Sequence, residues 1–255
     1  MTKETNREEF EQFLKSIDAK KIGTGTEATC YLGNDGYCYK LYSDELINSK
    51  NSSIRKKVNQ IITTSEIKSD AFIFPEELYV ENGTLLAHKT KYIEKNIFGK
   101  ENMNDSILHL KEQQIVTAYL NMVKDIVDIS KKGILLVDAV GDNLLYDGEK
   151  MYYIDTCEYE KVNQDENELF LENKKRFDSC IQNIFNSYYK LEDEGTIENI
   201  EEYVKKIKEA SINYGLDSEL KQTNTEQNRQ MLSFASNNLS GYLDNLFAAS
   251  ANKKK

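Results

Sequence analysis

The hydrophobic period of this chain changes once, and that change limits the folds open to it. Residues 22 to 92 run in short strand-like stretches broken by glycine turns, whereas from about residue 104 the apolar residues recur at helical spacing. Strands gathered ahead of helices point to an α+β fold and not to alternating βαβ units. Ahead of the strands, residues 6 to 18 read as a helix: Asn6 can cap it, Glu9 stands three residues on, and Phe10, Phe13, Leu14 and Ile17 form its stripe. Ile22 to Leu32 is a glycine-bearing turn between strands, Gly33-Asn34-Asp35-Gly36 is a turn, and Tyr37 to Tyr42 is a strand. Residues 52 to 68 read as a helix. Phe72 to Pro75 and Glu77 to Val80 read as extended, and Glu81-Asn82-Gly83 turns the chain into Thr84 to Tyr92. Pro75 is the single proline, expected at a sheet edge or turn.

The helical part opens at Asp105 or Ser106, either of which can cap a long helix ending near Lys131. Leu108, Ile115, Leu120, Val123 and Val127 form its stripe, and Gly133 is its stop. Ile134 to Val137 is a short apolar strand or loop entry. Asp147-Gly148, flanked by Asn143 to Tyr146 and Lys150 to Ile154, reads as the chain's strongest hairpin signal. Further helices are expected at 165 to 191, 196 to 212 and 224 to 249.

Composition excludes several classes. The 33 basic and 43 acidic residues leave a net charge of −10, which argues against binding nucleic acid through its phosphates. No apolar run approaches the roughly 18 residues that span a bilayer, so no membrane role is expected. Met1 to Glu9 is too polar for a secretory signal, and the expected location is cytoplasmic, with translocation as an effector left open. Cys30, Cys38, Cys157 and Cys180 form no C-x-x-C pair, and His88 and His109 show no metal-ligand spacing. Free, partly buried thiols in a reducing compartment fit better than a zinc site.

Four features can carry chemistry, and each also has a plain structural explanation. Gly23-x-Gly25-x-x-Ala28 can let backbone N–H groups approach phosphate oxygens, or can be an ordinary turn. A dinucleotide fold would need a helix after the glycines, and strand-like residues follow instead. Lys40, between Tyr39 and Leu41, is either solvated or an inward charge that needs an anion. Asp138-x-x-x-x-Asn143 can place a proton acceptor and a metal ligand on one loop, or can simply stabilise that loop. Asp155 ends an apolar strand, where a carboxylate is costly unless it is paired or holds a cation.

The order of these features (glycine turn, strand lysine, long helix, Asp-loop-Asn, hairpin, strand-end Asp) resembles the protein-kinase-like superfamily over most of residues 18 to 160. It is similar to small bacterial kinase-like proteins with D-L-H-P-G-N, a hairpin, then I-D-T. Here Asp138-Ala139-Val140-Gly141-Asp142-Asn143 and Ile154-Asp155-Thr156 stand in those places. The resemblance implies a bilobal fold, with a strand-rich N-lobe at 1–92 and a mostly helical C-lobe at 93–255. It implies that ATP and Mg²⁺ are the cofactors. The backbone of Gly23, Thr24, Gly25, Thr26 and Ala28 would cover the phosphates, and Lys40 would pair with them. Asp138 would accept the proton of the acceptor hydroxyl, while Asn143 and Asp155 would hold Mg²⁺. The segment Lys91 to Glu94 would meet the adenine.

Departures from the pattern are Ala28 for the third glycine, Leu136-Val137 where kinases carry His-Arg, and Thr156-Cys157 after Asp155 in place of Phe-Gly. No Ala-Pro-Glu follows, so no phosphorylation-controlled activation loop is expected. Glu66 and Glu45 are the candidates for a helix carboxylate paired with Lys40. The implied function is ATP-dependent transfer to a Ser, Thr or Tyr hydroxyl of a protein. The alternatives are a small-molecule kinase of the aminoglycoside or choline type and a nucleotide-binding pseudokinase scaffold. A fold unrelated to kinases stays open as well, with the glycines as turns, Lys40 solvated and both aspartates capping loops.

Overall fold

The structure is a computed structural model, and it describes residues 1–47, 52–93, 96–97, 111–189 and 195–213. It is mixed α+β and divides into two compact units. The first comprises Met1–Glu94 together with two later segments, Leu136–Asp138 and Ile154–Val162. The second comprises Lys95–Leu135, Ala139–Tyr153 and Asn163–Lys255. Sequence alone draws one boundary, after residue 92; the two returning segments come from tertiary contacts.

In the first unit the elements are β1 (Thr2–Glu4), α1 (Arg7–Ser16), β2 (Lys20–Thr24), β3 (Ala28–Leu32), β4 (Tyr37–Tyr42), α2 (Asp44–Ile47), α3 (Ser52–Thr64), β5 (Glu77–Glu81) and β6 (Thr84–Lys91). The six strands form one sheet in the order β1-β5-β6-β4-β3-β2, antiparallel except for the β1–β5 pair. Helix α1 forms where its cap is: Asn6 Oδ1 accepts the Glu9 N–H at 2.9 Å, and Glu9 Oε2 accepts the Asn6 N–H at 3.3 Å. Its stripe packs Phe10 and Leu14 onto Tyr39, Leu41 and Tyr79 on one face of the sheet. Alternation along β4 turns Tyr42 to the opposite face, where it joins Ala28, Ile61, Leu78, Leu85 and Cys157.

The two expected hairpin turns differ in width. Asn82-Gly83 makes a two-residue hairpin turn with both φ positive, +51° and +76°, as a primed turn requires. Asp147-Gly148 also turns a hairpin, but through a four-residue loop. The Asp147 carboxylate accepts the N–H groups of Glu149 and Lys150 at 2.8 and 2.7 Å, and this holds the loop wider. Helix α3 stops at Thr64, short of the expected residue 68, and Thr63 and Thr64 return their hydroxyls to the carbonyls of Asn59 and Gln60. Phe72 to Pro75 is a buried link into β5, with only a single bridge, at Phe72.

The second unit contains β7 (Asn96–Ile97), α4 (Glu112–Lys131), β8 (Ile134–Leu135), β9 (Leu144–Tyr146), β10 (Met151–Tyr153), α5 (Glu166–Tyr189) and α6 (Ile200–Asn213). Strands β7, β9 and β10 form a small antiparallel sheet. Ile115, Leu120, Val123 and Val127 are all buried on α4, and Gly133, at φ +68°, ends that helix as expected. Asp165 and Asn199 begin α5 and α6 by accepting N–H groups of their first turns. The expected cap at Asp105 or Ser106, the stripe residue Leu108 and the helix at 224–249 lie outside the described residues. Among the described residues, no helix is long and apolar enough to cross a membrane.

Candidate functional site

Lys40 sits on β4, on the sheet face it shares with Tyr42. Across the ladders it stands opposite Cys30 on β3 and His88 on β6. Its Nζ donates to Asp155 Oδ1 at 2.6 Å. The Lys40 side chain is 15% exposed and that of Asp155 is 44% exposed, so the pair is enclosed at the lysine and open at the carboxylate. Of the two roles open to this lysine from sequence, the structure has the inward one, with an anion in contact.

Burial works against the charge on Lys40, but the Cys157 sulfur and the Asp155 carboxylate hold its ammonium above the ordinary range. Burial also pushes the Cys157 thiol up to about 12, so it is neutral near pH 7 and the carboxylate supplies the charge. Burial raises Asp155 too, and the Lys40 ammonium outweighs it and keeps the carboxyl below the usual range.

The two later segments of the first unit each carry an aspartate with left-handed backbone: Asp138 at φ +57° and Asp155 at φ +54°. Non-glycine residues rarely adopt that region, and such strain gathers at functional sites. Asp138 is exposed, following the wholly buried Leu136. Asp155 is anchored by its neighbours. Thr156 donates its hydroxyl to the Ile73 carbonyl at 2.9 Å, and Cys157 sits in the core 3.7 Å from the Tyr42 hydroxyl. That hydroxyl also lies 3.0 Å from His88 Nδ1. Burial, and then the Lys40 charge, pull His88 down to about 3, so a neutral imidazole backs the pair.

The glycine turn joins β2 to β3. Gly25 N–H donates to the Ala28 carbonyl at 2.9 Å, and a bulge between Lys21 and Gly23 re-aims the strand. Thr24 and Thr26 are exposed. A Cβ added at Gly23 would meet nothing within 4 Å, so packing does not demand glycine there. Ala28 has a different duty, because its methyl is 6% exposed and belongs to the core opposite Tyr42.

Neither candidate helix glutamate is bonded to Lys40. Glu45 is exposed on α2, and Glu66 is exposed beyond the end of α3. Helix α3 instead presents a lysine. Lys57 Nζ pairs with Glu27 of the glycine turn and, at 2.6 Å, with Glu158 after Asp155. Sequence reasoning missed this residue, although a signal exists. Lys57 lies one turn before the buried Ile61, on the apolar stripe of α3, where a solvated lysine would not be expected. Asn143 belongs to the second unit, on the 3-10 turn Gly141–Asn143, with its N–H on the Val140 carbonyl at 3.1 Å. Lys91, Tyr92 and Ile93 are described; Glu94 is not. Among the described residues, no group of three or more His, Cys, Asp and Glu side chains is gathered to hold a metal ion. The chain matches no protein-family model and no curated protein, so a reading of this site rests on its own residues.

Proposed function

We propose that the chain is an ATP- and Mg²⁺-dependent phosphotransferase with a bilobal, protein-kinase-like arrangement, acting on a Ser, Thr or Tyr hydroxyl of a protein. The observation that carries this reading is the Lys40–Asp155 pair: a strand lysine and a strand-end aspartate, 115 residues apart in sequence, in contact at 2.6 Å. Two further features support it. The space over Gly23 is open, which leaves room for phosphate oxygens to approach the backbone. Asp138 holds a strained backbone at the head of the Asp-loop-Asn segment.

The residues fit the cofactors. Lys40 would neutralise the nucleotide phosphates, and the N–H groups of the Gly23–Ala28 turn would donate to them. Asp155 would contribute a carboxylate to Mg²⁺, which is usually bound through one or two carboxylates together with phosphate oxygens. When bound, Mg²⁺ offsets charge on the phosphates. Asp138 would orient the acceptor hydroxyl and take its proton.

A second reading, a nucleotide-binding scaffold without turnover, is favoured by one observation. Helix α3 offers Lys57, paired with Glu158, in place of a glutamate for Lys40.

Thermal stability with and without Mg-ATP, together with transfer from labelled ATP into a lysate, tests these readings. A Mg-dependent rise in Tm that is absent in Lys40→Ala and Asp155→Ala is expected, with label in protein that disappears in Asp138→Ala. A rise in Tm without transfer favours the scaffold, and label confined to small solutes favours a small-molecule kinase. Unchanged transfer in Asp138→Ala would sink the catalytic assignment.

A further inference from the structure

Two thiols lie beside Lys40 on the same sheet face. In the β3–β4 register Cys30 is directly opposite Lys40, and Cys38 is opposite Leu32. Residues two apart on a strand share a face, so Cys38 and Lys40 do, with Cys30 joining them across the ladder. Cys30 and Cys38 are therefore diagonal neighbours across the β3–β4 ladder. Both are half-buried, whereas Cys157 and Cys180 are buried. The neighbouring Cys38 thiol, opposed by burial and aided by the Lys40 charge, holds the Cys30 thiol below the ordinary range, while Cys30 and burial push Cys38 up. A partly exposed thiolate beside a cation is the reactive form of cysteine, and a second thiol on the same face can resolve the adduct it forms.

We infer that Cys30 and Cys38 form a dithiol switch on the Lys40 face, closing to a disulfide by exchange with a small disulfide and so denying nucleotide its place beside Lys40. The gating half rests on the kinase-like reading of the site, whereas the thiol chemistry does not. In the first step the Cys30 thiolate attacks one sulfur of the small disulfide, forms a mixed disulfide and expels one small thiolate. In the second, Cys38 gives up its proton to that thiolate and attacks the Cys30 sulfur, expelling the second. Two protein thiols are oxidised, and one small disulfide is reduced to two thiols. Diagonal cross-strand neighbours sit roughly 7 Å apart, beyond the ~5.5–6 Å that a relaxed disulfide spans between Cα atoms. Closure therefore draws β3 toward β4 at the position opposite Lys40 and shifts the lysine against Asp155.

The test incubates the full chain with glutathione disulfide and maps unreduced peptides by mass spectrometry. The Mg-ATP shift in Tm is recorded before oxidation, after it, and after dithiothreitol. The expected result is a Cys30–Cys38 bond, replaced in both Cys38→Ser and Cys38→Ala by a lasting glutathione adduct on Cys30. The Tm shift should vanish on oxidation and return on reduction. Mixed adducts alone in the natural protein, or no modification, overturn the dithiol. A mapped Cys30–Cys38 bond with an unaltered shift overturns the gating. Absence of a shift in the reduced protein overturns the kinase-like reading and the gating with it, while the peptide map alone decides the dithiol.

Discussion

Gly23 and Gly33 answer to different demands. At Gly23 a methyl group has open space and φ is not positive, whereas at Gly33 it would come within 2.6 Å of Asp35 Oδ1 and 2.9 Å of Ile17 Cδ1. Gly23→Ala should therefore leave stability unchanged or raise it by up to ~1 kcal/mol, since it restricts only the unfolded chain. The same change should diminish the Mg-ATP shift, because the methyl occupies the space over the turn. Gly33→Ala should lower stability by ~1–3 kcal/mol through overpacking. Chemical denaturation of both variants beside a nucleotide titration checks the contrast; loss of stability in Gly23→Ala would remove the case for a ligand there. His88 makes a second prediction at this scale. Its pKa falls from the unfolded 6.5 to about 3, so between those values the unfolded chain binds a proton that the folded chain refuses. The contribution is complete above pH 6.5 and is lost as pH falls toward 3, at a slope of up to ~1.4 kcal/mol per pH unit. Denaturation midpoints from pH 7 to pH 5 should fall in the natural protein and fall less steeply in His88→Gln.

Among the elements, α3 bears on the glycine turn and on the turn after Asp155 through one side chain. Lys57 is 13% exposed, while its partners Glu27 and Glu158 are 40% and 38% exposed. Pairs that wet contribute little to stability, so Lys57→Met, which keeps the apolar stem, should cost only ~1 kcal/mol. Its larger effect should fall on nucleotide affinity, because it frees both the glycine turn and the segment carrying Asp155. Lys57→Arg should restore the affinity. A Kd series for Mg-ATP set beside Tm separates the two effects, and equal affinity in Lys57→Met and the natural protein would confine Lys57 to a structural role. Much of this scale was legible beforehand. Asn6 with Glu9, Asn82-Gly83 and Gly133 act through residues a few positions away, so their caps and turns follow from local chemistry. The width of the Asp147 loop was not legible, because it depends on where a carboxylate finds N–H groups once the strands have paired.

At the scale of the whole molecule, Asp178 on α5 is the one wholly buried carboxylate among the described residues. It accepts from Tyr119 Oη at 2.6 Å, Lys174 Nζ at 2.6 Å and the Ile197 N–H at 3.0 Å. Burial raises its pKa despite these donors, and Asp178→Ala would take this acceptor from Tyr119 Oη and the Ile197 N–H and leave Lys174 with the Ile197 carbonyl. The expected loss is ~3–5 kcal/mol, read as a fall in the denaturation midpoint, and a loss under ~1 kcal/mol would show that water replaces the carboxylate. The sequence by itself determined the segregation of strands and helices, the strand that carries Lys40, and the glycine turn before it. Each of these depends on periodicity and turn chemistry within a few residues. Only the tertiary structure decided that Lys40 meets Asp155 instead of Glu45 or Glu66, that Lys57 bridges Glu27 and Glu158, and that Cys30 lies diagonally across the ladder from Cys38. Those partners are set by strand register and by chain segments that return from far along the sequence. A charge on a strand cannot reveal its counter-charge until the fold brings the two together and removes the water between them.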